Sequence, residues 1–394
     1  MNNTVKDFYS NATGWNMFDG RYLTQPVSEF ISAEHVFIDE LFKTCSKYKG
    51  IIEIGCGYGR FMNWASSNEV DYDGLDLVPW LVDIGILRQQ KLGKLLHPGR
   101  YRVHNLPAED MGKVLGASSY SRKPNKLIIF PFNCFGNIAN LKEVMKALAE
   151  SGQDVLISTY RTDPETSALR KAYYRKCGFT QVEIQRTSNG ILLTSAEGLH
   201  AIAYDEWYLR LLFEEYGYEL TYKVDLGAIG LQYHFKSRSG RERSYESSSI
   251  SQTVSRQTHE LVEPPYIGSD EASWLNLSAL RDEVSTSTSN GNLLMFESYV
   301  GFLQDADNSS LVVRAARKIP EGTIVRVALC KQKIDVAVCA TTVETVTHLA
   351  GDNEFEMKLK FFKPNPVMSA WWLMIASQMR KSNFSIKNAT LNAA

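Results

Sequence analysis

The sequence has no paired cysteines, no long apolar run and no excess of charge of either sign. Its six cysteines, at 45, 56, 134, 177, 330 and 339, include no Cys-x-x-Cys pair. That spacing offers neither a disulfide framework nor a metal site, and it suits free thiols in a reducing cytoplasm. No apolar run reaches the roughly 18 residues that span a bilayer. The longest late one, VMSAWWLMIAS at 367–377, reads as a buried helix. The first residues, MNNTVKDFYS, lack the apolar stretch of a secretory signal. The net charge of −1 speaks against a protein that binds nucleic acid by neutralising phosphates. No internal repeat is found. What is present is an ordinary globular composition, 44% hydrophobic and 22% charged, and 394 residues suit two or three domains.

Along the chain, residues 1–48 read as helix and loop, with Phe30, Phe37, Ile38, Leu41 and Phe42 at helical spacing in 27–42. Strand-like and helical runs then alternate. Strands are expected at 50–55 (GIIEIG), 71–77, 101–105, 126–132 (KLIIFPF) and 154–160, and helices at 60–67, 79–92 and 141–150. Such alternation predicts an α/β fold, a doubly wound, mostly parallel sheet covered on both faces. After a helical stretch at 161–179 come two strand-like runs, TQVEIQR and GILLTSA. An amphipathic helix at 204–218 and a closing antiparallel hairpin at 219–237 follow. From 237 the chain turns Ser- and Arg-rich and reads as a linker over 239–290. From about 292 alternating β-branched strands with turns such as Pro320-Glu321-Gly322 predict a small antiparallel β-barrel over 291–394.

The stretch IIEIGCGYGR at 51–60 places Gly55, Gly57 and Gly59 where a strand opens into a helix. Glycines there let backbone approach a ligand, and Gly59 lets the helix pack close to the strand. The third glycine follows the second by two positions, not by the three of a dinucleotide-binding turn. E-I-G-C-G-Y-G-R resembles the first motif of the class I S-adenosylmethionine-dependent methyltransferases, and other positions follow in the family's order, over roughly 30–238. The resemblance implies a Rossmann-like methyltransferase domain at 1–238 with S-adenosylmethionine as cofactor. It implies that Asp76 and Leu77, ending the second strand, meet the donor's ribose. In NLPAEDM, Ala108 and Glu109 or Asp110 would meet the adenine. In IIFPFNCFGNI, Phe130 and Asn133 would lie beside the sulfonium and the amino-acid end. Asp76 can equally cap the following helix, and Glu109 and Asp110 can equally be acids at a helix start. Glu53 either anchors the donor's ammonium or braces the turn, and Cys56 reads as a small residue that fits.

Methyl transfer from a sulfonium asks mainly for positioning, with proton removal where the acceptor needs it. Candidate bases are His104, His200, Tyr160, Tyr204 and His234; for each histidine a structural role is the competing reading. The aromatic stretch 8–23, with Tyr9, Trp15 and Phe18, reads as either a lid over the donor or a packed arm. The insertion at 161–203 is a second place for acceptor specificity. The C-terminal strands resemble in part the PilZ family of cyclic-di-GMP receptors. Asp307 and Ser309 fit the start of that family's D/N-x-S-x-x-G motif, but Val312 replaces its glycine, and Arg314 and Arg317 do not have its RxxxR spacing. The barrel is therefore expected to serve docking of an acceptor, a protein partner or a second copy, or regulation. The expected function is methyl transfer to an oxygen or nitrogen acceptor, a metabolite, a sugar or a protein side chain. The alternatives are a non-catalytic adaptor and, against the glycine spacing, a nicotinamide-dependent enzyme.

Overall fold

A computed structural model describes residues 8–9, 12–95, 100–116, 125–238, 274–280, 296–307, 309–331, 334–349, 354–362 and 372. The Ser/Arg-rich stretch from 239 and nearly all of the apolar run at 367–377 lie outside the described residues.

Seven strands form the first sheet. They are β1 (Gly50–Ile54), β2 (Asp71–Asp76), β3 (Tyr101–Asn105), β4 (Lys126–Phe130), β5 (Val155–Tyr160), β9 (Tyr218–Leu226) and β10 (Gly230–Ser237), in spatial order β3-β2-β1-β4-β5-β10-β9. The first five are parallel, and β10 joins β5 antiparallel. Every residue of β1 and β4 is buried, as expected for strands covered on both faces. The two-residue period decides which face each side chain meets. Ile52 and Ile128 pack with Val144, Leu148 and Phe213, whereas their neighbours Ile51 and Ile129 pack with Phe61, Met62 and Val82.

Helix Gln25–Thr44, with Pro26 in its first turn, buries Val27, Phe30, Ile31 and Ile38, and also Glu34 and His35. Phe37, Leu41 and Phe42 are half-buried at its edge. Between β5 and helix Glu206–Glu215 stands helix Pro164–Lys176. A three-stranded antiparallel sheet of β6 (Glu183–Arg186), β7 (Gly190–Thr194) and β8 (His200–Tyr204) follows it. β8 was not expected, and Tyr204, expected in a helix, ends this strand instead. Its sequence, HAIAY, is short and carries no turn signal, so only pairing with β7 makes it a strand.

The C-terminal strands are β11 (Trp274–Leu280), β12 (Phe296–Ala306), β13 (Ser310–Ala315), β14 (Ile324–Lys331), β15 (Ile334–His348) and β16 (Phe355–Phe361). They pair antiparallel in the order β11-β12-β13-β16-β15-β14, and β14 pairs back with β11. β11 corrects the reading of 239–290 as linker throughout. Leu275, Leu277 and Ala279 are buried at a two-residue period against Val313 and Val327. Partners far along the chain, β12 and β14, complete its hydrogen bonds.

This sheet packs on the first domain through helix Pro79–Leu95. Ile324 and Ala340 join a cluster with Trp15, Tyr58, Val78, Trp80, Leu81 and Ile84. Arg326, wholly buried, lies 4.4 Å from the Trp15 ring centroid and 5.0 Å from that of Trp80. Among the described residues no helix is long and apolar enough to cross a membrane.

Candidate functional site

The glycine turn sits where the strand order reverses, between β1 and β4, outside the carboxyl ends of the parallel strands. That crevice is the ligand position of open α/β sheets. Gly55 and Cys56 each donate a backbone N–H to Leu75 O, at 2.8 and 3.1 Å, which ties the turn to the end of β2. Gly55 has φ +67° and Gly57 φ +56°, a region that side chains rarely adopt. A Cβ at Gly55 would lie 2.4 Å from Cys134 Sγ, and one at Gly57 3.3 Å from Phe18 Cε1. Gly59 serves packing: a Cβ there would meet Met62 and the Tyr72 hydroxyl.

Two carboxylates converge on this turn. Asp76 Oδ2 accepts the Gly57 N–H at 2.7 Å and Oδ1 the Val78 N–H at 2.8 Å. Burial raises its pKa, against these backbone hydrogen bonds. Each oxygen keeps capacity for a further donor. Glu53 is wholly buried. Its Oε2 accepts from the Tyr72 hydroxyl at 2.6 Å and the Phe61 N–H at 3.2 Å, whereas Oε1 has no partner. Burial pushes this carboxyl up to about 7, with Tyr72 and Arg60 pulling the other way.

A cavity of about 230 Å³ opens here. It runs from Asp76 and Leu77 at the end of β2, past Glu53, Gly55 and Cys56, to Asn133 and Cys134 after β4 and Tyr160 at the end of β5. Ala108 and Glu109 line it after β3; Asp110 instead pairs with Lys113 at 2.6 Å. Tyr9, Met17, Phe18 and Leu23 close it from the N-terminal side. Trp15 is not a lining residue; it packs against Trp80 and Arg326.

Phe130 also departs from expectation. The period of β4 turns it into the core, edge-on to Phe135 with ring centroids 5.2 Å apart. Phe132 and Asn133 take the lining positions, both left-handed at φ 44° and 59°. Such backbone costs about 1–3 kcal/mol per residue and persists where its surroundings hold it. Phe132 N–H donates to buried Glu34 at 3.1 Å, and Glu34 pairs with Arg60, itself a lining residue. Asn133 Nδ2 donates to Ile202 O at 3.1 Å, and its Oδ1 accepts from Thr159 Oγ1 at 2.7 Å.

Of the five candidate bases, Tyr160 alone lines the cavity. His104 pairs with Asp73 at 3.0 Å, beside Lys126 and Arg102. His200 is exposed at the start of β8. His234 lies between the Tyr48 hydroxyl at 2.9 Å and Thr221 Oγ1 at 2.5 Å, and burial lowers it to about 4. Tyr204 stacks on Tyr208 and meets Phe135. Arg60, Phe132 and Tyr174 at the cavity, and Glu34 paired with Arg60, went unanticipated; Arg60, directly after the last motif glycine, and Phe132, directly before Asn133, stood beside a signal. No group of three or more metal-ligating side chains occurs among the described residues.

The cavity's donors and acceptors fit S-adenosylmethionine: a carboxylate at the end of β2 for ribose hydroxyls, an unpartnered carboxylate oxygen for an ammonium, and a turn that admits backbone contact. Residues 33–223 match the family model described as a methyltransferase domain. No curated protein matches the chain. Similar solved structures include magnesium protoporphyrin IX methyltransferase from Synechocystis PCC 6803 with bound SAH. It is 13% identical, with 60% of this chain and 100% of that one covered and a TM-score of 0.40. Another is the 1,6-didemethyltoxoflavin-N1-methyltransferase of Burkholderia thailandensis, 13% identical, 52% and 79% covered, TM-score 0.36. A third is the PH0226 protein of Pyrococcus horikoshii OT3, 13% identical, 56% and 95% covered, TM-score 0.38. The stretch 33–223, a little under half of the chain, matches a methyltransferase domain.

Proposed function

We propose that this protein transfers a methyl group from S-adenosylmethionine to an oxygen or nitrogen acceptor held on the β4–β5 side of the cavity. The observation that carries the reading is the convergence of the glycine turn, Asp76 and the unpartnered Glu53 Oε1 on one cavity. Asp76 would take the ribose hydroxyls, Ala108 and Glu109 the adenine, and Glu53 the ammonium. The donor, when bound, supplies a methyl group already activated by positively charged sulfur. The chain's own residues then position and shield. Gly55 admits backbone approach, Tyr9 and Phe18 keep water out, and Phe132 and Asn133 fix the wall on which the acceptor rests.

The C-terminal sheet is assigned a docking or regulatory role, supported by its contact with the N-terminal segment at Trp15. A cyclic-di-GMP site there lacks support: the Asp307 carboxylate already accepts from Ser309 and Ser310, at 2.6 to 2.9 Å. Calorimetric titration with S-adenosylhomocysteine, NAD and cyclic-di-GMP tests these assignments. Binding of S-adenosylhomocysteine alone, at about micromolar Kd, is expected. Binding of NAD alone would overturn the donor assignment, and no binding at all would leave the adaptor reading in its place.

A further inference from the structure

Beyond the donor end, the cavity reaches a group of buried polar atoms that the donor does not use. Tyr160 is 1% exposed, lines the cavity, and its hydroxyl has no hydrogen-bond partner. Behind it lies Arg170 of helix Pro164–Lys176, wholly buried, with its guanidinium carbon 4.5 Å from the centroid of the Tyr160 ring. Arg170 makes one hydrogen bond to protein carbonyl, Nη2 to Ala201 O at 3.1 Å, and its Nε and Nη1 have no partner. No carboxylate pairs with it among the described residues. A buried guanidinium without a counter-charge is costly, and so is a buried hydroxyl without an acceptor. A ligand oxygen at this end of the cavity would give the hydroxyl an acceptor and set a negative charge near the guanidinium, which lies behind the lining.

Tyr174 also lines the cavity beside them. Burial raises its phenol, while the Arg170 charge and a side-chain hydrogen bond with Arg170 pull it down. The surrounding wall is apolar and aromatic, from Phe132, Ile31 and Leu23. An aromatic wall with one hydrogen-bond-donating hydroxyl, backed by a buried cation, fits a small planar molecule bearing one anionic oxygen.

We propose that Tyr160 and Arg170 form the acceptor subsite, and that it selects a small aromatic or other planar acceptor through an anionic oxygen, a phenolate, enolate or carboxylate. The Tyr160 hydroxyl donates to that oxygen, and the Arg170 charge behind the ring stabilises it. This inference rests on the methyltransferase reading and narrows its acceptor. Tyr160 at the end of β5 and Arg170 of the insertion that follows it thereby set specificity, whereas the motif residues hold the donor.

The test uses the full chain saturated with S-adenosylhomocysteine and three probes: para-nitrophenol, benzoate and nitrobenzene, the last an uncharged planar control. Calorimetry is expected to show one of the two anions binding at least about ten-fold tighter than nitrobenzene, the scale of one hydrogen bond to a charged group. A preference for benzoate identifies a carboxylate, and a preference for para-nitrophenol a phenolate or enolate. In the latter case the visible absorbance of the ionised form increases on binding at a pH near the probe's own ionisation. Tyr160→Phe should lose about ten-fold in anion affinity and leave nitrobenzene affinity unchanged. Arg170→Met should abolish the preference; if that variant fails to fold, Tyr160→Phe decides. Equal binding of all three probes, an unaltered preference in Tyr160→Phe, or no probe binding while S-adenosylhomocysteine binds would overturn the inference alone. Absence of S-adenosylhomocysteine binding would overturn the donor reading beneath it.

Discussion

Glu53 and Asp76 are two buried carboxylates 23 residues apart in the chain that the same turn brings together, and their partners set them apart. Asp76 spends its charge on backbone N–H groups, so Asp76→Ala should lower S-adenosylhomocysteine affinity by about 1–3 kcal/mol, the cost of unpaired hydroxyls and N–H groups. Unchanged affinity by calorimetry would refute the ribose contact. Glu53 has an oxygen to spare and a carboxyl raised from 4.5 to about 7, first by burial and secondarily by Glu34, against Tyr72, Arg60 and the Phe61 N–H. Between those two values the folded chain holds a proton that the unfolded chain has lost. The contribution therefore favours the fold at low pH and is lost as pH rises through about 7, on the order of 3 kcal/mol in all. Glu53→Gln should flatten that decline in urea-unfolding free energy across the interval. If the donor's ammonium docks on Oε1, its affinity should also rise with pH through about 7 in the wild type and not in Glu53→Gln. A flat wild-type profile would separate this carboxylate from the donor.

Among the elements, the glycine turn was the part of the site most legible beforehand. A strand that ends in alternating glycines has few uses, and both Gly55 and Gly57 are left-handed. The element also makes a separable prediction. Gly55→Ala carries two faults, a positive φ and a methyl 2.4 Å from Cys134 Sγ. Its stability loss should be about 1–3 kcal/mol or more. Cys134→Ala in the same background removes the contact and not the backbone strain, so the double variant should recover only part of the loss in a denaturant melt. Full recovery would mean that the turn tolerates a side chain. The elements read least well were β8, whose short HAIAY becomes a strand by pairing with β7, and β11, whose alternation of Leu275, Leu277 and Ala279 stands alone beyond a Ser/Arg-rich stretch and is completed by β12 and β14. Phe130 was misplaced for a related reason: its motif position was clear, but the strand's alternation sends it into the core and gives the cavity to Phe132.

At the scale of the molecule, the N-terminal segment is held between two bodies. Phe18 covers Gly57, and Trp15, one turn earlier, meets Trp80 and the buried Arg326 of the C-terminal sheet. Cation–π contacts of this buried kind contribute about 2 kcal/mol each. Arg326→Leu should therefore loosen the segment without touching the donor's own contacts. Faster proteolysis at residues 8–23 and a several-fold weaker S-adenosylhomocysteine affinity are the expected readouts. Wild-type values for both would show that the C-terminal sheet does not brace the segment.

The sequence by itself determined the alternation of strands and helices, the glycine turn, the carboxylate at the end of β2 and the change to an antiparallel C-terminal sheet. Each is written in local period or in residues whose backbone freedom or charge is intrinsic. Only the tertiary structure decided which candidate base reaches the cavity, since five side chains were chemically eligible and four are turned elsewhere by the registers of their strands or by partners such as Asp73 and Tyr48. It alone also set Arg170 behind Tyr160 and Arg326 over Trp15. Such pairings join residues from different elements, and nothing in a residue's own chemistry or spacing tells which buried neighbour the fold will give it.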